Sequence, residues 1–370
     1  MITALQKFSG VEHVVPVGRA AQGIAVALQV WAGGRRITVA LSAAVCQDVI
    51  AAVQMAGCEP FFCDVTPATA LVPESEWLRA RAAGATAAIL VHLYGNPADS
   101  AAARRCFPAP DCLLIDDAAQ ALGVHTATGL AGTEGDIGVV SFGATKHIEI
   151  GGGALLSRDA AFARECTRLL ASLPVTPAAV RNTMQATFRE RFYAARRAMV
   201  ETGRPDQFAG LLEGYAPLLQ VAWQPEWSQE IAAALQDYPT RVARRLEKAG
   251  YWLEALADTG LVPVGMQAKA PARAVPWRFT CRLPGSDWTG QQALADALRR
   301  DGVHVSNWYL PGQWLLGAGR LPGVEQLAAE VFQFWLDDDT PPDTVRQQAR
   351  LVQKHLCPAP QASNGTPTQR

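Results

Sequence analysis

Leu113–Gly123, LLIDDAAQALG, is followed by Gly135–His147, GDIGVVSFGATKH, and by the glycine run Gly151–Gly153. The first stretch is an apolar run that closes on two carboxylates, Asp116 and Asp117; the second closes on Ser141 and then, past Gly143, on Lys146. Apolar runs of this length bounded by Gly, Asp or Pro read as buried strands. The same alternation extends from Ile37 to Ser157 through ITVAL, the small-residue stretch Ala43–Gly57, PFFCDV, AAILVHLYG and GALLS. The intervening segments are long enough for crossover helices. The expectation is an α/β fold with a mostly parallel sheet covered on both faces.

Beyond Ser157 the character changes. Residues 158–235 carry Arg, Ala and Glu at helical spacing, as in RNTMQATFRERFYAARRAMVETG, with a polar loop around Gly203–Gln207. From 236 onward follow a charged helix (TRVARRLEKAGYWLEALADTG), a strand near Trp277–Leu283, a helix (TGQQALADALRRDG), a short strand in HVSNWY and a last helix after Pro342. This predicts a large α/β domain over 1–235 and a smaller α+β domain over 236–357. The tail 358–370 has too few apolar residues to order itself and is expected to be disordered.

Lys and Arg total 33 against 34 Asp and Glu, a net charge of -1, which gives no reason to expect nucleic acid or an anionic membrane as partner. The eight cysteines are scattered without a CxxC pair, as expected of reduced thiols in a cytosol. The N-terminus lacks a basic region followed by a long apolar run, and no window reaches the roughly 18 apolar residues of a membrane span. A soluble, cytoplasmic protein acting on small molecules is the expectation.

In open α/β sheets, ligands sit beyond the carboxyl ends of the strands, so Asp117, Ser141, Lys146 and the glycine run should converge on one crevice. Pyridoxal phosphate needs an amine that can form an imine, a carboxylate opposite its pyridine nitrogen and a cradle for its phosphate. Lys146, on a tight turn after a strand and beside small residues, suits the first role. Asp117 suits the second. Ser141, with backbone N–H groups near Gly18 and Arg19 at a helix start, suits the third. Taken singly, each has a plainer reading: a lysine after a strand is usually solvated, and an aspartate there is often a cap. The weight lies in the joint pattern, with Asp117 and Lys146 29 residues apart, one strand and return.

These motifs resemble the sugar aminotransferases typified by DegT and StrS, within the fold-type I pyridoxal-phosphate enzymes. The similarity is sharpest in IDDAAQALG and GDIGVVSFGATKHIEIGGGALLS. It continues through AAILVHLYGNPAD and AGCEPFFCDV, and is weaker in VGRAAQGIAVAL and GVHVSNWYLP. The resemblance implies that Lys146 is the Schiff-base lysine, Asp117 the pyridine-nitrogen partner, Gln120 a donor to the ring hydroxyl and Ser141 a phosphate ligand. Gly18 and Arg19 fall where the family's phosphate-cradling Gly-Thr lies, so Arg19 could neutralise phosphate or point outward. The aromatic residue that usually stacks on the ring falls at Cys46. The family's N-x-R-x-x-x-x-A-A segment, which reaches the neighbouring subunit, has only WSQEIAAAL (227–235) as a remnant. A homodimer is an expectation from the family alone.

Further candidates are His92 and Tyr94 at a strand end, which could line the pocket or merely pack, and Trp308 and Tyr309, which could close over a substrate or belong to the core. His147 could tune the lysine or be structural. The cluster Arg189, Arg191, Arg196 and Arg197 reads most simply as a solvated helix face. The activity implied is transfer of an amino group from an amino acid, glutamate by resemblance, to a keto-sugar, nucleotide-linked by the same resemblance. The alternatives are elimination, dehydration or desulfuration on the same cofactor, transamination of a non-sugar ketone, and a non-catalytic cofactor-binding regulator.

Overall fold

The computed structural model describes residues 1–266 and 272–357. Seven strands form one sheet: β1 (His13–Val17), β2 (Thr38–Ser42), β3 (Glu59–Cys63), β4 (Ala87–Val91), β5 (Leu113–Asp117), β6 (Ile137–Ser141) and β7 (Gly153–Ser157). Their order is β1-β7-β6-β5-β4-β2-β3. Strands β2 to β6 run parallel, while β7 is antiparallel to both β6 and β1. The mostly parallel sheet expected from the apolar runs is therefore present, with two strands added at one side. No strand was anticipated at β1. It carries Pro16, which lacks a backbone donor and is tolerated because β1 is an edge strand.

Helices α1 (Ile2–Ser9), α2 (Ala20–Ala32), α3 (Gln47–Met55), α4 (Glu74–Ala82), α5 (Ser100–Cys106) and α6 (Ala160–Ser172) accompany the large sheet. Alternate strand residues enter different cores. Ile89, Ile115 and Val139 pack in one with Ile24 of α2 and Ile50 of α3, while Leu90 and Leu114 pack on the opposite face with Trp77 of α4 and Ala103 of α5. That is why these strands read as continuous apolar runs.

Residues 158–235 are helical in part, with α7 (Ala178–Thr202) and α8 (Trp227–Gln236), but the break between them runs over 203–226, longer than the expected loop around Gly203–Gln207, and holds only short 3-10 turns at Pro205–Phe208 and Ala216–Leu218. After α9 (Tyr238–Ala255), a second sheet assembles from β8 (Val262–Pro263), β9 (Phe279–Arg282), β10 (Val305–Ser306) and β11 (Val331–Phe334), in the order β10-β11-β9-β8 and antiparallel throughout. Helices α10 (Trp288–Arg300), α11 (Pro322–Glu330) and α12 (Pro342–Leu356) complete the chain described. Trp252 of α9 stacks on Phe334 at 4.3 Å in the core of this second unit. Strand β11 went unread because VFQF continues directly from the apolar end of α11. The tail 358–370 lies outside the described residues.

Candidate active site

The carboxyl ends of β4, β5 and β6 open onto a cavity of about 770 Å³ whose wall includes Asp117, Gln120, Ser141 and Lys146. Register explains the convergence: Asp117 pairs with Val91 on one side and Val139 on the other, so three strand ends lie abreast.

Asp117 ends β5 and is 3% exposed. Its Oδ1 accepts the N–H of Ala119 at 2.9 Å, and among the described residues Oδ2 has no hydrogen-bond partner. Burial pushes its carboxyl above the ordinary range, against the pull of the Ala119 N–H and of Lys146. Asp116 takes the other direction, as alternation along a strand requires. It is fully buried, accepts from His92 Nε2 at 2.7 Å and from the N–H groups of Gly132 and Glu134, and belongs to the scaffold.

Lys146 stands on a turn held from three sides. Its N–H donates to the Gly143 carbonyl at 3.3 Å, Thr145 adopts φ +65°, and the Thr145 carbonyl accepts from the indole of Trp277. The N–H groups of Ile150 and Gly151 both reach the Phe142 carbonyl, closing the loop. The glycine run has a packing reason: a Cβ on Gly151 would lie 2.5 Å from Trp227, and one on Gly152 2.7 Å from Trp223. The segment read as the remnant of the family's inter-subunit motif thus clamps this loop from α8.

The N-terminus of α2 also meets the cavity. Arg19 is its N-cap, and the first N–H groups of this 13-residue helix are available to an anion. Arg19 does not point outward: Nε and Nη2 donate to Asp48 Oδ2 at 3.0 and 2.6 Å, and Tyr215 donates to Asp48 Oδ1 at 2.6 Å. Burial works against the ionised Asp48, but the Arg19 charge and the Tyr215 hydroxyl outweigh it and hold the carboxyl below its ordinary range. Ser141 Oγ accepts the Gly143 N–H at 3.4 Å, and a Cβ on Gly18 would lie 1.9 Å from the Val221 carbonyl oxygen. Cys46 does line the cavity, with burial pushing its thiol up to about 12, so it offers a small neutral surface where an aromatic ring would stand.

Gln120 is fixed at both ends: Oε1 accepts the Tyr94 N–H at 3.0 Å and Nε2 donates to the Tyr309 hydroxyl at 2.5 Å. Trp308 and Tyr309 do line the cavity. Trp308 stacks on Phe192 of α7 at 4.9 Å.

Two expectations are corrected here. His92 is fully buried, with Nδ1 accepting the Ala98 N–H at 2.9 Å and Nε2 on Asp116, so it ties the scaffold together and does not line the cavity. Tyr94 is likewise buried behind the wall, stacked on Tyr309 at 6.3 Å, with its hydroxyl donating to the Trp308 carbonyl at 2.6 Å. His147 packs edge-on against Tyr238, the structural reading. The arginine cluster divides: Arg189 borders the cavity, whereas Arg196 is buried and donates to Gln292, Gln291 and the Asn307 carbonyl, so it is no solvated residue.

The sequence reading missed Arg278, Trp277, Phe188 and Phe192, all in the cavity wall. The phenylalanines are four apart on α7, a spacing that marks one helix face, and Arg278 stands out as a charge beside the apolar strand β9.

The residues present fit pyridoxal phosphate on the chain's own terms. A buried carboxylate with one unbonded oxygen, an amine without a partner among the described residues, and a helix N-terminus beside a serine face one space. Residues 2–187 match the DegT/DnrJ/EryC1/StrS aminotransferase family. Over 170 residues the chain is 31% identical to a dTDP-3-amino-3,4,6-trideoxy-alpha-D-glucose transaminase of Micromonospora megalomicea subsp. nigra, covering 45% of each chain. Over 173 residues it is 34% identical to an L-glutamine:2-deoxy-scyllo-inosose aminotransferase of Streptomyces lividus, covering 45% of this chain and 40% of the relative. The match thus spans less than half the length of these curated relatives. The fold also aligns with Helicobacter pylori PseC, an aminotransferase involved in the biosynthesis of pseudoaminic acid. That alignment has TM-score 0.75 at 14% identity, over 96% of this chain and 90% of that one. Together, the family match, the sheet topology and the cavity at its strand ends show that this chain belongs to the DegT/DnrJ/EryC1/StrS aminotransferase family, whose members depend on pyridoxal phosphate.

Proposed function

We propose that the protein is an aminotransferase that moves an amino group from an amino acid, L-glutamate or L-glutamine, to a keto-sugar carried on a nucleotide, in amino-sugar or natural-product biosynthesis. The observation that carries this is the convergence of Lys146, Asp117, Gln120, Ser141 and the N-terminus of α2 on one cavity. The relatives' names supply the substrate classes.

When bound, pyridoxal phosphate supplies a carbonyl carbon to carry the amino group and a ring that accepts electron density from the donor's α-carbon. Asp117 would face the ring nitrogen, where a cation offsets the cost of its buried charge. Gln120, held between Tyr94 and Tyr309, would orient the ring hydroxyl. Ser141 and the first N–H groups of α2 would hold the phosphate. Lys146 is the one lysine among the described residues that line the cavity. Its Nζ would secure the cofactor and, once released, take the proton from the donor's α-carbon. Returning a proton in the second half-reaction lets one base serve both directions. Trp308, Tyr309 and Phe192 line the cavity with aromatic surface, which would keep water from the reacting atoms.

Absorbance of the purified protein before and after L-glutamate tests this. The expected result, with L-glutamine tried in parallel, is a visible band of lysine-bound cofactor that bleaches as one equivalent of the donor's 2-oxo acid (2-oxoglutarate from glutamate) appears, with both events lost in Lys146→Ala. Absence of any cofactor band would sink the reading; ammonia release from the amino acid in place of 2-oxoglutarate would replace it with elimination.

The division into 1–235 and 236–357 is our reading as well, supported by the separate sheets and by the α8–α9 junction at Asp237. No helix among the described residues is long and apolar enough to cross a membrane. A cytoplasmic homodimer is part of the same proposal; cell fractionation that puts the protein in the membrane pellet would refute the location.

A further inference from the structure

Arg278 is a buried cation with no anion in contact among the described residues. It is 6% exposed and forms part of the wall that also carries Lys146. Its position follows from backbone pairing: the N–H of Val275 donates to the Gly95 carbonyl at 3.2 Å and that of Trp277 to the Tyr94 carbonyl at 3.0 Å. Gly95, with φ +84°, permits this approach, since a Cβ there would lie 1.9 Å from the Val275 oxygen. The Trp277 indole then donates to the Thr145 carbonyl, which sets the 277–278 segment against the turn bearing Lys146.

The guanidinium lies over the indole rings of Trp277 and Trp335, at 4.3 and 4.2 Å from their centroids. With rings against its faces, only its in-plane edges are left for hydrogen bonds. Nη1 donates to Ser306 Oγ at 2.6 Å, and Ser306 in turn donates to Gln333 Oε1 at 2.8 Å, which fixes the plane. Among the described residues Nε and Nη2 have no partner and Arg278 forms no ion pair; Asp337 and Glu149 act on it only through space. Burial pulls its pKa below the ordinary value, against the more distant charges of Asp337 and Glu149.

A rigid, planar fork with unbonded N–H groups in a cavity is the geometry that recognises a carboxylate. We propose that Arg278 binds a carboxylate of the amino-acid donor, and so selects a carboxylate-bearing donor over a simple amine. The assignment of that carboxylate to an amino donor rests on the aminotransferase reading above.

The test is calorimetric titration of the cofactor-loaded protein with glutarate, a dicarboxylate that has no amino group to transfer. Wild type is expected to bind it saturably. Arg278→Gln should bind it about 10- to 100-fold more weakly, the range for losing hydrogen bonds to a charged group, with the cofactor absorbance unchanged. Arg278→Lys keeps the charge without the fork and should also weaken binding, which decides the matter if the Gln variant does not fold. No glutarate binding by wild type, or equal binding by folded Arg278→Gln or Arg278→Lys, would overturn the proposal. Binding lost in Arg278→Gln while wild type makes no 2-oxo acid from either L-glutamate or L-glutamine would keep the site and discard the aminotransferase reading. Normal 2-oxoglutarate formation with glutarate affinity intact in Arg278→Gln would do the reverse.

Discussion

At the scale of single residues, neighbours in sequence part company according to the side of the backbone they occupy. Asp116 and Asp117 are adjacent and both buried, yet one is spent on His92 and two loop N–H groups while the other keeps an oxygen for the cavity. Lys146 and His147 divide in the same way. His147 is enclosed beside Tyr238, and burial, reinforced by the charge of Arg245, drives its pKa well below 6.5. The folded state therefore holds His147 neutral while the unfolded chain takes up a proton as pH falls below about 6.5. Stability contributed by this site is present at higher pH and declines below that value. Urea midpoints measured from pH 7.5 to 5.5 should fall in wild type and fall less in His147→Phe; parallel profiles would remove His147 as the cause.

At the scale of elements, tight approaches between chain segments explain several of the glycines. Gly18 joins β1 to α2, and its missing side chain admits the Val221 carbonyl, so the segment ahead of α8 lies against the start of α2. Gly18→Ala must move backbone, and a backbone shift cannot be absorbed by a rotamer change. A loss of about 3 kcal/mol or more is expected from a clash of this kind, read as a lower denaturant midpoint together with weaker retention of cofactor on dialysis. Unchanged stability would mean that the 221 segment yields freely. The strands β2 to β7 were legible because each is short, apolar and bounded by turn residues, and the helices within 158–235 were legible from their period. Strand β1 was not, since its Pro16 counts against a strand until the edge position is known. The two-residue β10 is shorter than HVSNWY suggests because beyond Ser306 the chain turns to present Trp308 and Tyr309 to the cavity.

At the scale of the whole molecule, the cavity is built from both parts of the chain, with β-strand ends on one side and Trp277, Arg278, Trp308 and Tyr309 on the other. Helix α7 bridges them, through Phe192 on Trp308 and Arg196 on the Asn307 carbonyl. The homodimer expected from the family is checked by light scattering during size exclusion: twice the chain mass of 39.6 kDa is the expected result, and a single-chain mass would refute it. Sequence by itself determined the class of sheet, the strand ends that carry Asp117, Ser141 and Lys146, and the cofactor chemistry those three allow, because hydrophobic period and short-range motif act within a few residues of each other. Tertiary structure alone decided that His92 and Tyr94 stand behind the wall, that Arg196 is buried, that Arg19 is held by Asp48, and that Arg278 faces the cavity between two indoles. Trp277 and Trp335 are remote in sequence, as are Arg19 and Asp48, and contacts of that kind exist only once long-range packing has brought the elements together.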